Sequence, residues 1–300
     1  MTVHRSMAGE VQFDAPAKIN LILRILHPRV DGYHELCSLM QTVQLVDTLY
    51  LRLREQSVEV RLTCSDPTLP VDGSNLVLRA AHSVLAQGGL RVGIDIALTK
   101  RIPVGAGLGG GSSDAATTIM ALNHLLNLKL SIEQMAHIGA SLGSDVPFFI
   151  MGPTAWVAGR GEQVQPVTLH GGRWVVLVKP VFGVETRWAY RQLAQTRAKI
   201  EPLSQAHDRL RRAAALSWDE DEIEPLMVND FEEALHGTHP QFAEIRAVLK
   251  SEGATVAMLS GSGSTVFGLF IDHDRAVLAA SRIRAVIADV QTFVVRTSAS

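Results

Sequence analysis

The chain's richest stretch of phosphate-type chemistry is residues 103–116, where Gly105, Gly107, Gly109, Gly110 and Gly111 are spaced by Ala106 and Leu108 and followed by Ser112 and Ser113. Glycine lets a backbone curl so that successive N–H groups turn inward. A helix opening at the end of such a curl adds the positive end of its dipole. Together they make a cradle for phosphate, with serine hydroxyls as further donors. The alternative is a glycine-rich turn closed by an ordinary serine N-cap, but five glycines lose more conformational freedom than a plain turn requires.

Gly105, Gly107 and Gly110 also fit GxGxxG, so a dinucleotide-binding βαβ unit has to be considered. Its context is wrong. Lys100, Arg101 and Pro103 interrupt the tight strand-to-turn junction, and the next helix leads into another helix where that fold needs a parallel strand ending in an acid. GxxxxGK[ST] is absent from the sequence, which removes the P-loop reading.

Three other places could contribute to phosphoryl chemistry. Asp145, in Leu142-Gly-Ser-Asp-Val-Pro-Phe-Phe149, is expected on a loop between a helix end and an apolar strand. There it could accept or orient a hydroxyl proton, or simply close an Asx turn. Lys18 lies in an apolar strand with Asn20 two positions on and therefore on the same face. A cation in such a strand is costly unless it meets a carboxylate or phosphate, although an edge lysine can snorkel to water. Residues 259–267 form a second small-residue loop between strands, suited to close backbone approach or to a hairpin turn. His27, His34, His236 and His239 have no metal-ligand spacing, and no protein-held metal is expected.

The elements that must position these groups read as mixed strand and helix. Residues 11–26 and 44–63 are β-rich, with Val58, Val60 and Leu62 in alternation and a loop at 27–34. A helix is expected over 75–87 and a strand over 92–98. Another helix should run from an N-cap at Ser112 to about residue 128, with Ala116, Ile119, Leu122 and Leu126 on one face. Ser131 and Gln134 form a capping box for a helix ending near Gly143. Strands are expected over 146–151 and 155–157, and a domain boundary within 159–172. Then follow a strand at 174–178, helices at 187–216, 224–235 and 242–252, a hairpin of 255–259 with 265–271, a helix at 275–286 and a strand at 292–296. This order indicates α+β layers rather than one doubly wound sheet.

Bulk properties narrow the classes further. A chain of 300 residues, 47% hydrophobic and 19% charged, has ample material for two domains and shows no compositional sign of disorder. A net charge of −2 with both signs scattered argues against coating nucleic acid. Arg209, Arg211 and Arg212 read as a solvated helix face. Cys37 and Cys64 lack CxxC spacing and suit buried thiols in a reducing compartment. No apolar run reaches the ~18 residues of a membrane span, and no signal or transit segment is apparent, so a cytoplasmic location is expected.

In this order, the segments at 15–20, 103–116 and 259–266 resemble the three motifs of the GHMP kinase superfamily: a lysine-bearing strand, a P-x-x-x-G-L-G-S/G-S-S-A-A-like loop and a C-terminal glycine loop. The closer resemblance is to the branch acting on a cytidine diphosphate-linked methylerythritol. It rests on Ala-Pro-Ala-Lys-Ile-Asn-Leu at 15–21, Asp-Gly-Tyr-His-Glu-Leu at 31–36, Gly-Leu-Gly-Gly-Gly-Ser-Ser at 107–113 with Asp-Ala-Ala following, and Gly-Ser-Asp-Val-Pro-Phe at 143–148.

The resemblance implies an α+β, two-domain fold. Residues 1–165 would form an ATP-binding domain like the second domain of ribosomal protein S5, and residues 166–300 a ferredoxin-like C-terminal domain. It implies transfer of a phosphoryl group from ATP, with Mg²⁺ arriving on the nucleotide, to that small-molecule acceptor, and no nucleic-acid or membrane partner. Asp145 would be the base or hydroxyl-orienting group and Lys18 its partner. Pro103, Gly105, Ala106, Gly107, Leu108, Gly109, Gly110, Gly111, Ser112 and Ser113 would hold ATP. Asn20, Tyr33, His34, Thr186 and Tyr190 would bind the acceptor, Tyr33 and Tyr190 as walls of the cytosine pocket with Phe182 the rival for the second wall. Glu185 departs from the small residue usual beside Thr186.

Overall fold

The computed structural model describes residues 3–5, 10–30, 32, 34–54, 56–196, 202–213, 215–219 and 222–299. In chain order the first half has β1 (Val3–Arg5), β2 (Val11–Pro28), β3 (His34–Arg54), β4 (Val60–Cys64), α1 (Leu76–Gln87), β5 (Gly93–Thr99), α2 (Gly110–Leu125), α3 (Ile132–Leu142) and α4 (Val146–Met151). There follow β6 (Thr154–Gly159), β7 (Gln163–Pro166), β8 (Thr168–His170), β9 (Trp174–Pro180), α5 (Thr186–Thr196), α6 (Gln205–Arg212) and β10 (Ala215–Ser217). The last part has a 3₁₀ turn (Glu224–Leu226), β11 (Val228–Asn229), α7 (Phe231–His236), α8 (Pro240–Ser251), β12 (Val256–Leu259), β13 (Val266–Phe270), α9 (His273–Val286) and β14 (Val290–Arg296). They form two compact units, each discontinuous in sequence.

The first unit comprises Met1–Ala17, Leu45–Ile102 and Gly109–Met151. Its strand β5 pairs antiparallel with the end of β3, from Thr48↔Thr99 to Arg54↔Gly93, and parallel with β4, from Val60↔Ile94 to Cys64↔Leu98. Ile94, Ile96 and Leu98 are buried, whereas Asp95 and Ala97 between them are not, the alternation expected of a one-sided strand. The helices α1 and α2 pack together, and α4 packs on α2 and α3. Two helix starts follow from local chemistry: Asn75 accepts from the Val77 N–H to begin α1, and Ser131 and Gln134 close a full capping box on α3. Residues 113–119 of α2 are all buried. The run Ser113-Asp-Ala-Ala-Thr-Thr118 uses small side chains that let neighbours approach on every side.

The second unit comprises Lys18–Gln44, Pro103–Leu108 and Gly152–Ser300. Here β6 pairs antiparallel with the first part of β3, and β11 parallel with β2 through Val228↔Ile22 and Asn229↔Leu23. A separate four-stranded antiparallel sheet has the order β12-β13-β9-β14, with α8 and α9 packed on it. The sequence β9, α8, β12, β13, α9, β14 with this strand order is the ferredoxin-like βαββαβ topology. The stretch 159–172 lies inside this unit and includes β7 and β8.

Several expectations are corrected. Residues 146–151 are a helix: a six-residue apolar run has no readable period, Pro147 suits a first helical turn, and Gly139 of α3 leaves Val146 room to pack. The expected helix at 187–216 is α5 and α6 among the described residues, with Leu216 in β10; Pro202 precedes the Ser204 N-cap of α6, and residues 197–201 lie outside the described residues. The expected helix at 224–235 contains the 3₁₀ turn, β11 and the start of α7, because the Asn229 side chain accepts from the Phe231 N–H and turns the chain there. Val58 is exposed and outside β4. Finally, β3 begins at His34, ten residues before the expected strand, because Leu36 to Val43 are buried on both faces and show no alternation.

Candidate active site

In the glycine-rich segment, Gly105, Gly107 and Gly109 have φ values of +62°, +74° and +73°. Left-handed residues at alternate positions are the backbone pattern from which anion-binding concavities are built. The helix α2 starts at Gly110, two residues before the expected N-cap, and Gly109 caps it without any side-chain bond. This corrects the role of Ser112: a left-handed Gly109 already turns the chain into the helix, and no side chain occupies the first amide groups. Of the two serines, Ser113 is fully buried with an unpartnered Oγ, whereas Ser112 is half-buried and open to a ligand.

In the second unit the glycine segment meets the C-terminal glycine loop. The Ser260 Oγ donates to the Gly107 carbonyl at 3.0 Å, and the Thr265 N–H donates to the Ala106 carbonyl at 3.2 Å. A Cβ on Gly107 would lie 2.1 Å from the Ser260 carbonyl oxygen, so only glycine permits this approach. The C-terminal loop is braced by Asn229, whose Nδ2 donates to the carbonyls of Leu259 (2.9 Å) and Gly261 (2.8 Å). Sequence reasoning missed Asn229; the only local trace was an Asn-Asp pair after the apolar run Leu226-Met-Val.

Lys18 is 4% exposed, so the snorkelling reading is excluded. Its N–H donates to the Leu108 carbonyl at 2.9 Å, and its Nζ donates to the Asn20 Oδ1 at 2.7 Å. The Asn20 Nδ2 then donates to the Ser38 Oγ, which donates to the Ile22 carbonyl. The period-two spacing of Lys18 and Asn20 is thus realised as one buried chain of bonds. An ideal Cβ on Gly261 would stand 3.3 Å from the Lys18 Nζ, which places that ammonium beside the C-terminal glycine loop.

The expected acceptor residues are partly gathered in the same unit. His34 and Tyr190 stack with centroids 5.2 Å apart and planes at 25°, and Tyr190 also meets Phe231 edge-on. Burial lowers the His34 pKa, favouring the neutral ring that can both donate and accept. Thr186 shares a 3.0 Å hydroxyl bond with Ser262 of the C-terminal loop. Phe182 instead stacks on His239 and packs on Phe242. Tyr33 lies outside the described residues.

In the first unit Asp145 is half-buried in the three-residue connection 143–145 joining α3 to α4, so it stands between two helices rather than before a strand. The same unit holds a buried ionic group that sequence reasoning did not assign. The Lys100 Nζ donates to Asp47 and, at 2.7 Å, to Asp114. The other Asp47 oxygen accepts from the N–H groups of Arg101 (2.5 Å) and Ile102 (2.8 Å). One arm therefore fixes the chain just before the glycine segment and the other fixes α2 just after it. Burial raises Asp114 to about 7 despite the attraction of Lys100, with the Asp47 charge pushing the same way. Burial opposes the Lys100 charge, but Asp114 and Asp47 outweigh it and raise the lysine.

A left-handed glycine segment, a buried lysine bonded to it and, in the other unit, an aspartate on a helix-joining turn are groups of the kinds phosphoryl transfer uses. Residues 75–153 match the GHMP kinases N terminal domain and residues 196–289 the GHMP kinases C terminal domain. The chain belongs to the GHMP kinase family and is an ATP-dependent phosphotransferase. It is 45% identical over 271 residues to 4-diphosphocytidyl-2-C-methyl-D-erythritol kinase of Syntrophotalea carbinolica, spanning 90% of this chain and 93% of that one. A crystal structure of 4-(cytidine 5'-diphospho)-2C-methyl-D-erythritol kinase superposes with a TM-score of 0.76 at 32% identity, covering 96% of this chain and all of that one. A homoserine kinase structure from Cytophaga hutchinsonii shares the fold, with a TM-score of 0.75 at 22% identity over 100% of this chain and 98% of that one. Among the described residues no helix is long and apolar enough to cross a membrane.

Two outcomes follow from this geometry. Gly107→Ala imposes a left-handed alanine, costing roughly 1–2 kcal/mol, and a clash with Ser260; it should lower the melting temperature and weaken ATP binding at least about tenfold, about 1.4 kcal/mol. Gly111→Ala meets nothing closer than Leu76 at 3.7 Å and should melt at or above the wild-type temperature, since alanine gains roughly 0.5–1 kcal/mol over glycine in a helix. The second outcome concerns pH. An unfolded Asp114 titrates near 3.8 and the folded one near 7, so its contribution to stability is full below pH 4 and is lost as pH rises through 7. Wild-type stability relative to Asp114→Asn should therefore fall by roughly 3 kcal/mol between pH 5 and pH 8 in denaturant titrations.

Proposed function

We propose that this chain transfers the γ-phosphoryl group of ATP to the 2-hydroxyl of 4-diphosphocytidyl-2-C-methyl-D-erythritol, giving the 2-phosphate and ADP, in the non-mevalonate route to isoprenoid precursors. The observation that carries this reading is the 45% identity, over nine-tenths of both chains, to a kinase named for that substrate. The bond formed joins the acceptor oxygen to γ-phosphorus, the bond broken joins γ-phosphorus to the β–γ bridging oxygen, and the acceptor proton leaves. Asp145 receives or orients that proton. Lys18 offsets negative charge during transfer and, with Asn20, orients the alcohol. Little covalent work is left to the protein beyond such positioning.

Residues 105–112 hold the triphosphate through backbone N–H groups, with Ser112 the available hydroxyl; Pro103, which has no N–H, and Ser113, whose N–H donates to the Gly109 carbonyl, flank the nucleotide without donating from the main chain. Mg²⁺ would arrive bound to the nucleotide and would supply neutralisation of phosphate charge there. Among the described residues there is no group of three or more His, Cys, Asp or Glu side chains that could hold a metal ion. The left-handed Gly105, where a Cβ would meet nothing within 4 Å, leaves room for a bound phosphate. The cytosine pocket is assigned to Tyr33 and Tyr190 as walls, with His34 on the base edge and Thr186 beside it; Tyr190 is preferred to Phe182 because it lies next to His34, whereas Phe182 lies next to His239 and Phe242. We retain 1–165 and 166–300 as the N- and C-terminal GHMP kinase domains, a division compatible with the two family matches. The cytoplasm, a reducing compartment, suits the two free cysteines.

A coupled ADP-release assay with ATP, Mg²⁺ and the cytidyl acceptor, run beside mevalonate and homoserine, tests the reaction; turnover with either rival alone would remove the cytosine pocket. Asp145→Asn and Lys18→Met should each lower kcat by about 10²-fold or more while circular dichroism stays that of the wild type. Near-normal turnover in both would sink the assigned roles.

A further inference from the structure

The mechanism above makes no use of Lys179, which lies on β9 and is 5% exposed. No carboxylate among the described residues meets it. Its Nζ donates to two main-chain carbonyls, those of Pro180 and, at 2.8 Å, Phe182. Burial depresses its pKa, with no compensating charge nearby. A buried ammonium satisfied only by carbonyls is costly to keep, and a neutral or apolar residue would fill a strand position at lower cost.

What the ammonium holds is the turn at 180–186. The Phe182 carbonyl accepts from Lys179 and also from the Ser264 Oγ at 2.6 Å. One residue further, an ideal Cβ on Gly183 would stand 3.6 Å from the Gly105 carbonyl, so the turn lies against the phosphate segment. Three residues beyond that, Thr186 bonds Ser262. The turn is thus fastened to the C-terminal glycine loop at both ends, and that loop in turn abuts Gly107 through Ser260.

We infer that Lys179 is a positioning residue for phosphoryl transfer: by fixing the Phe182 carbonyl it holds Ser264, and through it the C-terminal glycine loop, in the place that shapes the nucleotide's phosphate site. This rests on the kinase reading above. Its action runs through Phe182 and Ser264 rather than through direct contact with substrate. Lysine is suited to the task because one ammonium can reach two carbonyls of the same turn, which a shorter donor cannot.

The test is a double-mutant cycle with Lys179→Met, Ser264→Ala and the pair, reading the Kd for ATP with Mg²⁺ by equilibrium titration and the KM for ATP in turnover. Each single variant should weaken ATP by about fivefold or more, and the pair should be no worse than the weaker-binding single, because both cut one chain of bonds. Lys179→Arg, which keeps the charge and two donors, should recover at least half of the loss. Wild-type ATP binding in Lys179→Met, or losses that multiply in the pair, would overturn the inference. If Lys179→Met does not fold, Lys179→Gln takes its place in the same cycle and is held to the same outcomes. Turnover of the wild type on the cytidyl acceptor is scored separately: its absence would sink the proposed reaction, while the ATP-binding arm still decides the role of Lys179.

Discussion

The contact on which the second unit's chemistry depends is the backbone-to-backbone approach of Gly107 and the loop beginning at Ser260. With 2.1 Å between an imagined Cβ and a carbonyl oxygen, no side chain can enter, and no rotamer change could make room because the obstacle is main chain. Around this point the bonds are nearly all to backbone: Ser260 to the Gly107 carbonyl, Thr265 to the Ala106 carbonyl, Lys18 to the Leu108 carbonyl. A site assembled from main-chain groups is positioned by the fold as a whole. Single side chains then act as braces, which is the part Asn229 takes with its two bonds to the C-terminal loop.

Those braces explain an unusual density of buried polar groups. Lys18, Asn20 and Ser38 form one closed chain in the second unit, and Asp47, Lys100 and Asp114 another in the first. Neither arrangement is the cheapest way to fill a core, because desolvating charges offsets most of their attraction. Each, however, fixes backbone next to the glycine segment: Lys18 through its own N–H, Asp47 through two N–H groups just before it, Asp114 through the start of α2. Charge is retained where a loop of glycines, which has little conformational preference of its own, has to be held still.

How much of this could be read beforehand follows from how local each signal is. The capping box at Ser131, the helix over 75–87, the hairpin of β12 and β13 and the shared face of Lys18 and Asn20 depend on residues within a few positions of one another, and each is found as expected. The failures depend on tertiary context. Residues 146–151 are apolar in either a strand or a helix, and only the room left by Gly139 decides. The first part of β3 is buried on both faces, which erases the alternation that marks a strand. Ser112 is a good N-cap by type, yet a left-handed Gly109 starts the helix sooner. Asp47 and Asn229 were invisible because their partners are 53 and 30 residues away.

The same reasoning bears on what should vary between kinases of this fold. Backbone N–H groups recognise phosphate without regard to what the phosphate is attached to, and they demand only glycine at a few positions and braces behind them. A homoserine kinase can therefore share the fold at 22% identity. The acceptor must be told apart by side chains, and here the stacked His34 and Tyr190, with Thr186 reaching Ser262, offer flat apolar surface beside polar edges. Thr186 links the two regions, since its hydroxyl bonds the glycine loop while its helix carries Tyr190. On the proposed reading, acceptor recognition would thereby be fastened to the element that shapes the phosphate site, a physical route by which the two substrates would be held in register for in-line transfer.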